Sequence, residues 1–154
     1  MEQQAQDAIK SCSIDTDGKG IIAYNSMKWY SSNPKAYADP SIQINRTLTN
    51  WWGEARENGV KSGNIYTGIL YSFANMVFSE TTKIGCAYKV CRGKGTTLAI
   101  ICTYNEIAYF DGNPMWETGQ PCKVGADCTT FEKSGCSDGL CTKGPPIPGE
   151  TCEV

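Results

Sequence analysis

The residues best equipped for chemistry in this 154-residue chain are its nine cysteines, five of which (Cys122, Cys128, Cys136, Cys141 and Cys152) crowd the C-terminal stretch. Two Cys-x-x-Cys pairs would signal a four-thiolate zinc site, but every interval here is longer than that motif allows. An oxidising compartment favours crosslinks over thiolate ligands, so disulfides are the expected state of all nine positions that find a partner. The chain has no histidine, which removes the imidazole base that Ser-His and Cys-His nucleophiles need. Asp15 and Asp17 sit in a glycine-rich turn where aspartates serve as solvated turn formers, and the spaced acidic ligands of an EF-hand are absent. No enzymatic activity, cofactor or metal site is expected from these residues.

Two further motifs bear on recognition. Asn45-Arg46-Thr47 is an N-glycosylation sequon, an acceptor in an extracellular context if Asn45 faces solvent. Arg92-Gly93-Lys94 stands where a hairpin tip is expected and has the shape of an Arg-Gly-Asp loop, without the aspartate that would reach an integrin-bound cation. With Lys89 it forms a candidate basic contact patch for an acidic partner surface (Lys89, Arg92, Gly93, Lys94). The loop from Lys123 to Lys143 is the second candidate.

A net charge of -2 and a pI near 5.2 supply no basic field for nucleic acid or anionic lipid. No apolar run approaches the ~20 residues that span a bilayer, and MEQQAQDAIK lacks the apolar core of a signal peptide. The cysteine content nevertheless implies secretion into an oxidising space. The odd cysteine count and an uncapped apolar stripe at the start (Met1, Ala5, Ala8, Ile9, Cys12) lead us to expect an upstream segment carrying a further cysteine.

The elements that must position these residues follow from periodicity. Residues 13–32 read as loop, with a short apolar run at Ile21 and Ile22. Ile44, Leu48, Trp51, Trp52 and Ala55 repeat at helical spacing before Asn58-Gly59, predicting a helix over about 40–58 with both indoles in the core. A third helix is expected over 70–79, and strands over 83–91 and 97–104 joined by the reversal Arg92-Gly93-Lys94-Gly95. Beyond Asp111 apolar residues thin out, leaving cysteines to hold the tail together.

Met1–Cys12, Trp51-Trp52-Gly53-Glu54 and the run from Phe73 to Cys86 (FANMVFSETTKIGC) resemble the second helix, the tryptophan-rich helix and the signature segment of the CAP superfamily, especially the activation-associated secreted proteins of parasitic nematodes. Ala99–Tyr104 and Gly112-Asn113 are similar to its second signature, although 105–111 is longer than usual. The resemblance implies an α+β fold, an α-β-α sandwich around a central antiparallel sheet with a cysteine-rich C-terminal tail. It divides the chain into a CAP domain at 1–118, lacking its N-terminal helix, and a disulfide-rich hinge-like tail at 119–154. It further implies the pairs Cys12–Cys91 and Cys86–Cys102; the five tail cysteines remain unassigned.

Many members of this family hold zinc between two histidines and two glutamates. The resemblance places one histidine position at Ser72 and one glutamate segment near Asn25-Ser26-Met27, leaving Glu54 as the surviving ligand of a degenerate cleft (Ser26, Glu54, Ser72). No zinc is expected there. Likeness to the platelet inhibitors of hookworms implies a secreted parasite effector that binds host cell-surface receptors, platelet integrins among them, and inhibits platelet adhesion and aggregation. The alternative that the family offers is extracellular sterol or fatty-acid binding, for which the loop at Ile21 and Ile22 is the candidate.

Overall fold

The computed structural model describes residues 1–144. The chain divides into two compact units, Met1–Glu117 and Thr118–Val154.

The first unit is built in the order α1 (Glu2–Ala8), β1 (Ala23–Ser31), α2 (Ser41–Asn58), a 3₁₀ turn (Gly68–Leu70), α3 (Tyr71–Val77), β2 (Ile84–Arg92) and β3 (Thr96–Tyr104). The strands form one antiparallel sheet in the order β1-β3-β2. The central strand β3 is covered on both faces, which explains its nearly unbroken apolar run. Ala99 and Ile101 pack with Ala5, Ala8, Ile9 and Cys12 beneath α1. Their neighbours Leu98, Ile100, Cys102 and Tyr104 point to the other face, where they meet Ala23 of β1 and Trp51 of α2. A third cluster joins Tyr66, Leu70, Phe73, Ala74, Ala108 and Met115 around α3. This is the α-β-α sandwich, and Cys12–Cys91 and Cys86–Cys102 are bonded within it.

Local chemistry sets the element ends. The Asp39 carboxylate accepts from the Ser41 N–H at 3.0 Å at the start of α2. At its end Gly59 takes φ 72° while its N–H donates to the Ala55 carbonyl, a backbone state that glycine adopts without a Cβ clash. Gly85 lies directly under the first turn of α1, where any Cβ would collide with the Met1–Glu2 peptide.

Three expectations are corrected. Residues 23–31 are a strand, not loop: Ala23, Asn25, Met27 and Trp29 face the α2 side of the sheet, but the first two are small or polar, which masks the start of the alternation in the sequence. Trp51 is buried at 3% exposure, but Trp52 is 57% exposed, because consecutive helical residues point about 100° apart and the buried stripe takes only one of them. The first helix stops at Ala8; Cys12 lies beyond it at φ 55°, tied back by its crosslink to β2. The helix expected over 70–79 is α3, shorter and preceded by the 3₁₀ turn.

The second unit carries a short 3₁₀ turn (Gly125–Asp127) and the hairpin β4 (Gly135–Ser137) and β5 (Leu140–Thr142). Among the described residues its crosslinks are Cys122–Cys136 and Cys128–Cys141. Leu140 and Val124 are exposed, as expected of a module held by covalent bonds in place of an apolar core. The Asp127 carboxylate accepts from the Lys123 and Val124 N–H groups, and these bonds hold it below its ordinary pKa. Cys152 lies outside the described residues.

Candidate functional site

The cleft between β1, the end of β3 and helices α2 and α3 is filled by a polar network. Asn25 of β1 is fully buried and faces the helices; its Nδ2 donates to the Ser72 carbonyl at 2.8 Å and to the Tyr104 hydroxyl at 3.2 Å. Asn75, buried within α3, donates from Nδ2 to Asn25 Oδ1 at 2.9 Å. The Tyr71 hydroxyl donates to the Tyr24 carbonyl at 3.2 Å. Glu54 reaches across from α2, and its Oε2 accepts from the Phe73 N–H at 2.9 Å. Phe73 is the third residue of α3, so this carboxylate satisfies one of the amides that a helix start leaves open.

Burial pushes the Tyr104 hydroxyl up to about 12, the Asn25 hydrogen bond opposing the shift. Tyr71 and Tyr66 are raised by burial as well, Tyr66 with help from the nearby negative charges of Asp111 and Glu54. A tyrosine held protonated this way is neither a base nor an anionic ligand at neutral pH.

The degenerate cleft therefore differs from its expected composition. Ser26 pairs with Ile101 on the α1 face of the sheet, away from Glu54 and Ser72, while Asn25 takes the cleft position. One residue of register separates the two assignments and reverses the face. Ser72 presents its carbonyl to the network through Asn25. The residues present do not fit the zinc that the fold family implies: there is no imidazole, and the remaining carboxylate is occupied in capping α3. A second group with metal-ligand character, Cys122, Cys128 and Cys141, has its sulfurs within 4.8 Å of one another, but all three are consumed in the two tail crosslinks.

Of the basic patch, Arg92 and Lys94 are brought together near the hairpin tip and Lys89 is not. Lys89 lies on the α1 face and its ammonium donates to the Lys10 carbonyl, whereas Arg92 belongs to the opposite face and its guanidinium donates to the Pro34 carbonyl at 2.6 Å. Gly93 closes the tip through its N–H to the Gly95 carbonyl. The Lys94 side chain extends into solvent. Asn45 is exposed on α2, but the sequon's Thr47 is fully buried and its hydroxyl accepts from Trp29 Nε1 at 2.8 Å. Asp15 accepts from the Asp17 N–H and from Lys19 Nζ within its turn.

What sequence reasoning missed is the role of Asn25, Asn75, Tyr71 and Tyr104 as a buried network. One signal was available: an asparagine at 75 inside the otherwise apolar run Phe73–Val77 marks a buried polar group that must find a partner.

Comparison with known proteins agrees with this geometry. Residues 1–104 match the model of the cysteine-rich secretory protein family, CAP. The chain is 56% identical over 149 residues to the Ancylostoma secreted protein of Ancylostoma caninum, covering 96% of this chain and 34% of the relative. It superposes on the crystal structure of Na-ASP-1 with a TM-score of 0.84 at 54% identity, covering 99% of this chain and 37% of that one. The chain thus spans about a third of the length of these relatives. Hookworm platelet inhibitor 1 of Ancylostoma caninum is 35% identical over 79 residues, which is 50% of this chain and 37% of that protein. The chain belongs to the CAP family of cysteine-rich secretory proteins.

Proposed function

We propose that this chain is an extracellular binding module without catalytic activity, a secreted parasite effector that engages host cell-surface receptors of the platelet-integrin class and blocks platelet adhesion and aggregation. The observation that carries the proposal is the state of the cleft. Asn25, Tyr104 and Glu54 are engaged with Asn75 Nδ2, the Ser72 carbonyl and the Phe73 N–H. Asn75 Oδ1 is buried without a partner among the described residues, but a neutral amide oxygen is too weak a base to activate water and too weak a ligand to hold a metal alone. A crosslinked scaffold of this kind acts through its surface. The receptor class is taken from the likeness to Hookworm platelet inhibitor 1.

Lipid carriage draws less support. Ile21 packs against the cluster under α1 and leaves only Ile22 of that apolar run exposed, and the cavity of about 260 Å³ beside β2 adds only Ile9 and Tyr88 to a lining of Gln3, Gln6, Asp7, Lys10 and Lys89.

The test is platelet attachment to immobilised ligand with a sterol-binding assay alongside. Block of attachment without sterol uptake supports the proposal; sterol uptake without block overturns it. The double variant Arg92→Ala, Lys94→Ala separates the contact from the function. Full activity in that variant would remove the hairpin tip as the contact while leaving receptor binding standing.

A further inference from the structure

β2 is an edge strand, and among the described residues no strand pairs with its free side. The Cys86–Cys102 pair has a Cα separation of 4.0 Å, which marks it as a narrow, non-hydrogen-bonded pair of the antiparallel ladder. Alternation then aims the backbone N–H and C=O of Gly85, Ala87, Lys89 and Cys91 at β3, and those of Ile84, Cys86, Tyr88 and Val90 outward. Among the described residues these outward groups meet no hydrogen-bond partner. The other edge differs, because by the same alternation the outward carbonyl of Tyr24 on β1 is taken by the Tyr71 hydroxyl.

Exposed edges are usually blunted by proline, a bulge, short length or a charge aimed across them. β2 has none of the first three: its register runs unbroken from Ile84 to Arg92 against Tyr104 to Thr96. The charges that could guard it are drawn aside, Lys89 onto the Lys10 carbonyl and Arg92 onto the Pro34 carbonyl. Ile84 and Tyr88 stand on one face of the strand at 58% and 54% exposure. Residues 83–95 hold Lys83, Lys89, Arg92 and Lys94 and no carboxylate side chain, on a chain whose net charge is -2. Of the acidic groups on neighbouring α1, Asp7 is already paired with Lys10 at 2.8 Å.

We propose that β2 captures an extended acidic segment of a partner protein by strand addition. The segment pairs with the outward backbone of Ile84, Cys86, Tyr88 and Val90. Its apolar side chains cover Ile84 and Tyr88, and its carboxylates face Lys83 and Lys94. A second copy of this chain is the poorer occupant: two β2 strands paired antiparallel about Tyr88 would set Lys83 beside the Arg92–Lys94 end of the other copy, opposing like charges. This assignment rests on the protein-binding proposal and names the site and partner chemistry for it.

The test is amide hydrogen exchange by NMR on the intact chain, with and without a labelled decapeptide of alternating glutamate and valine, its lysine-valine counterpart serving as control. The amides of Ile84, Cys86, Tyr88 and Val90 should gain at least about tenfold protection with the acidic peptide alone, and its affinity should fall steeply as salt shortens the range of the charges below about 10 Å. Tyr88→Pro removes one outward N–H that β3 does not use, so it should abolish peptide binding while the Ala87 and Lys89 amides stay protected. Equal binding of both peptides, binding without protection of the four amides, or no protection at saturating acidic peptide overturns the assignment. So does protection of the same four amides in the free chain accompanied by dimer sedimentation, which would identify a second copy as the occupant. Strand capture with no integrin binding would sink the receptor class alone, and integrin binding with the four amides unprotected would sink the edge alone.

Discussion

The Glu54 carboxylate and the Phe73 N–H are 2.9 Å apart, a helix-capping contact made from one helix to the start of another. The side chain that the family resemblance offers as a surviving zinc ligand is here a structural acceptor for α3. Glu54→Ala should cost about 1–2 kcal/mol in urea unfolding, because it leaves a helix-start amide unpaired. Glu54→Gln keeps an oxygen in place and should cost clearly less. Equal losses in the two variants would mean that the charge, not the hydrogen bond, matters.

Asn25 is the hub of the buried network, donating to two groups and accepting from Asn75. Asn25→Ala strands two buried polar partners, Tyr104 and Asn75, and the half-buried Ser72 carbonyl, and should destabilise the chain by about 2–3 kcal/mol. Ser26→Ala, one residue along and on the other face of the sheet, should change stability by less than about 0.5 kcal/mol. Chemical denaturation of both variants checks the assignment of the cleft to Asn25 over Ser26.

That one-residue difference shows where sequence legibility stops. Helix α2 was readable because Ile44, Leu48, Trp51 and Ala55 repeat at 3.6 and Gly59 ends the pattern. The β2-β3 hairpin was readable because two apolar runs flank glycines. β1 was not, since its apolar alternation is confined to Met27 and Trp29, and the core positions before them are Ala23 and the polar Asn25. The exposure of Trp52 was hidden for a related reason: its ring packs edge-on against Phe73 at 5.3 Å, a partner defined by tertiary structure alone. The cleft network depends on which residues of distant elements face one another, and local pattern carries little of that.

Tyr104 gives the fold an alkaline limit. The folded chain holds its proton to about pH 12, against an ordinary value of 10.0 for the unfolded chain. The folded state therefore binds more protons between those values, so this contribution to stability is complete below pH 10 and is lost as pH rises toward 12. Tyr71 and Tyr66 act in the same direction. Tyrosinate absorbance should show a late-ionising fraction that appears together with unfolding and shrinks in Tyr104→Phe. Ionisation of all tyrosines ahead of unfolding would contradict the burial argument.

The sequon at Asn45 can be separated from the packing of Thr47. Asn45→Gln should remove any glycan without affecting stability, whereas Thr47→Ala removes the glycan and also the Trp29 hydrogen-bond acceptor, costing about 1–2 kcal/mol. Intact mass and urea midpoints of the two variants provide the comparison. Because Thr47 is buried in the folded chain, glycan attachment is expected before α2 docks.

The central claim, receptor binding by a scaffold whose cleft is closed to chemistry, is met most directly by equilibrium binding of the purified chain to a panel of purified platelet integrins. Saturable binding to at least one of them, unchanged by chelation-proof substitution of Glu54 with Gln, is the expected result. A null across the whole panel would contradict it.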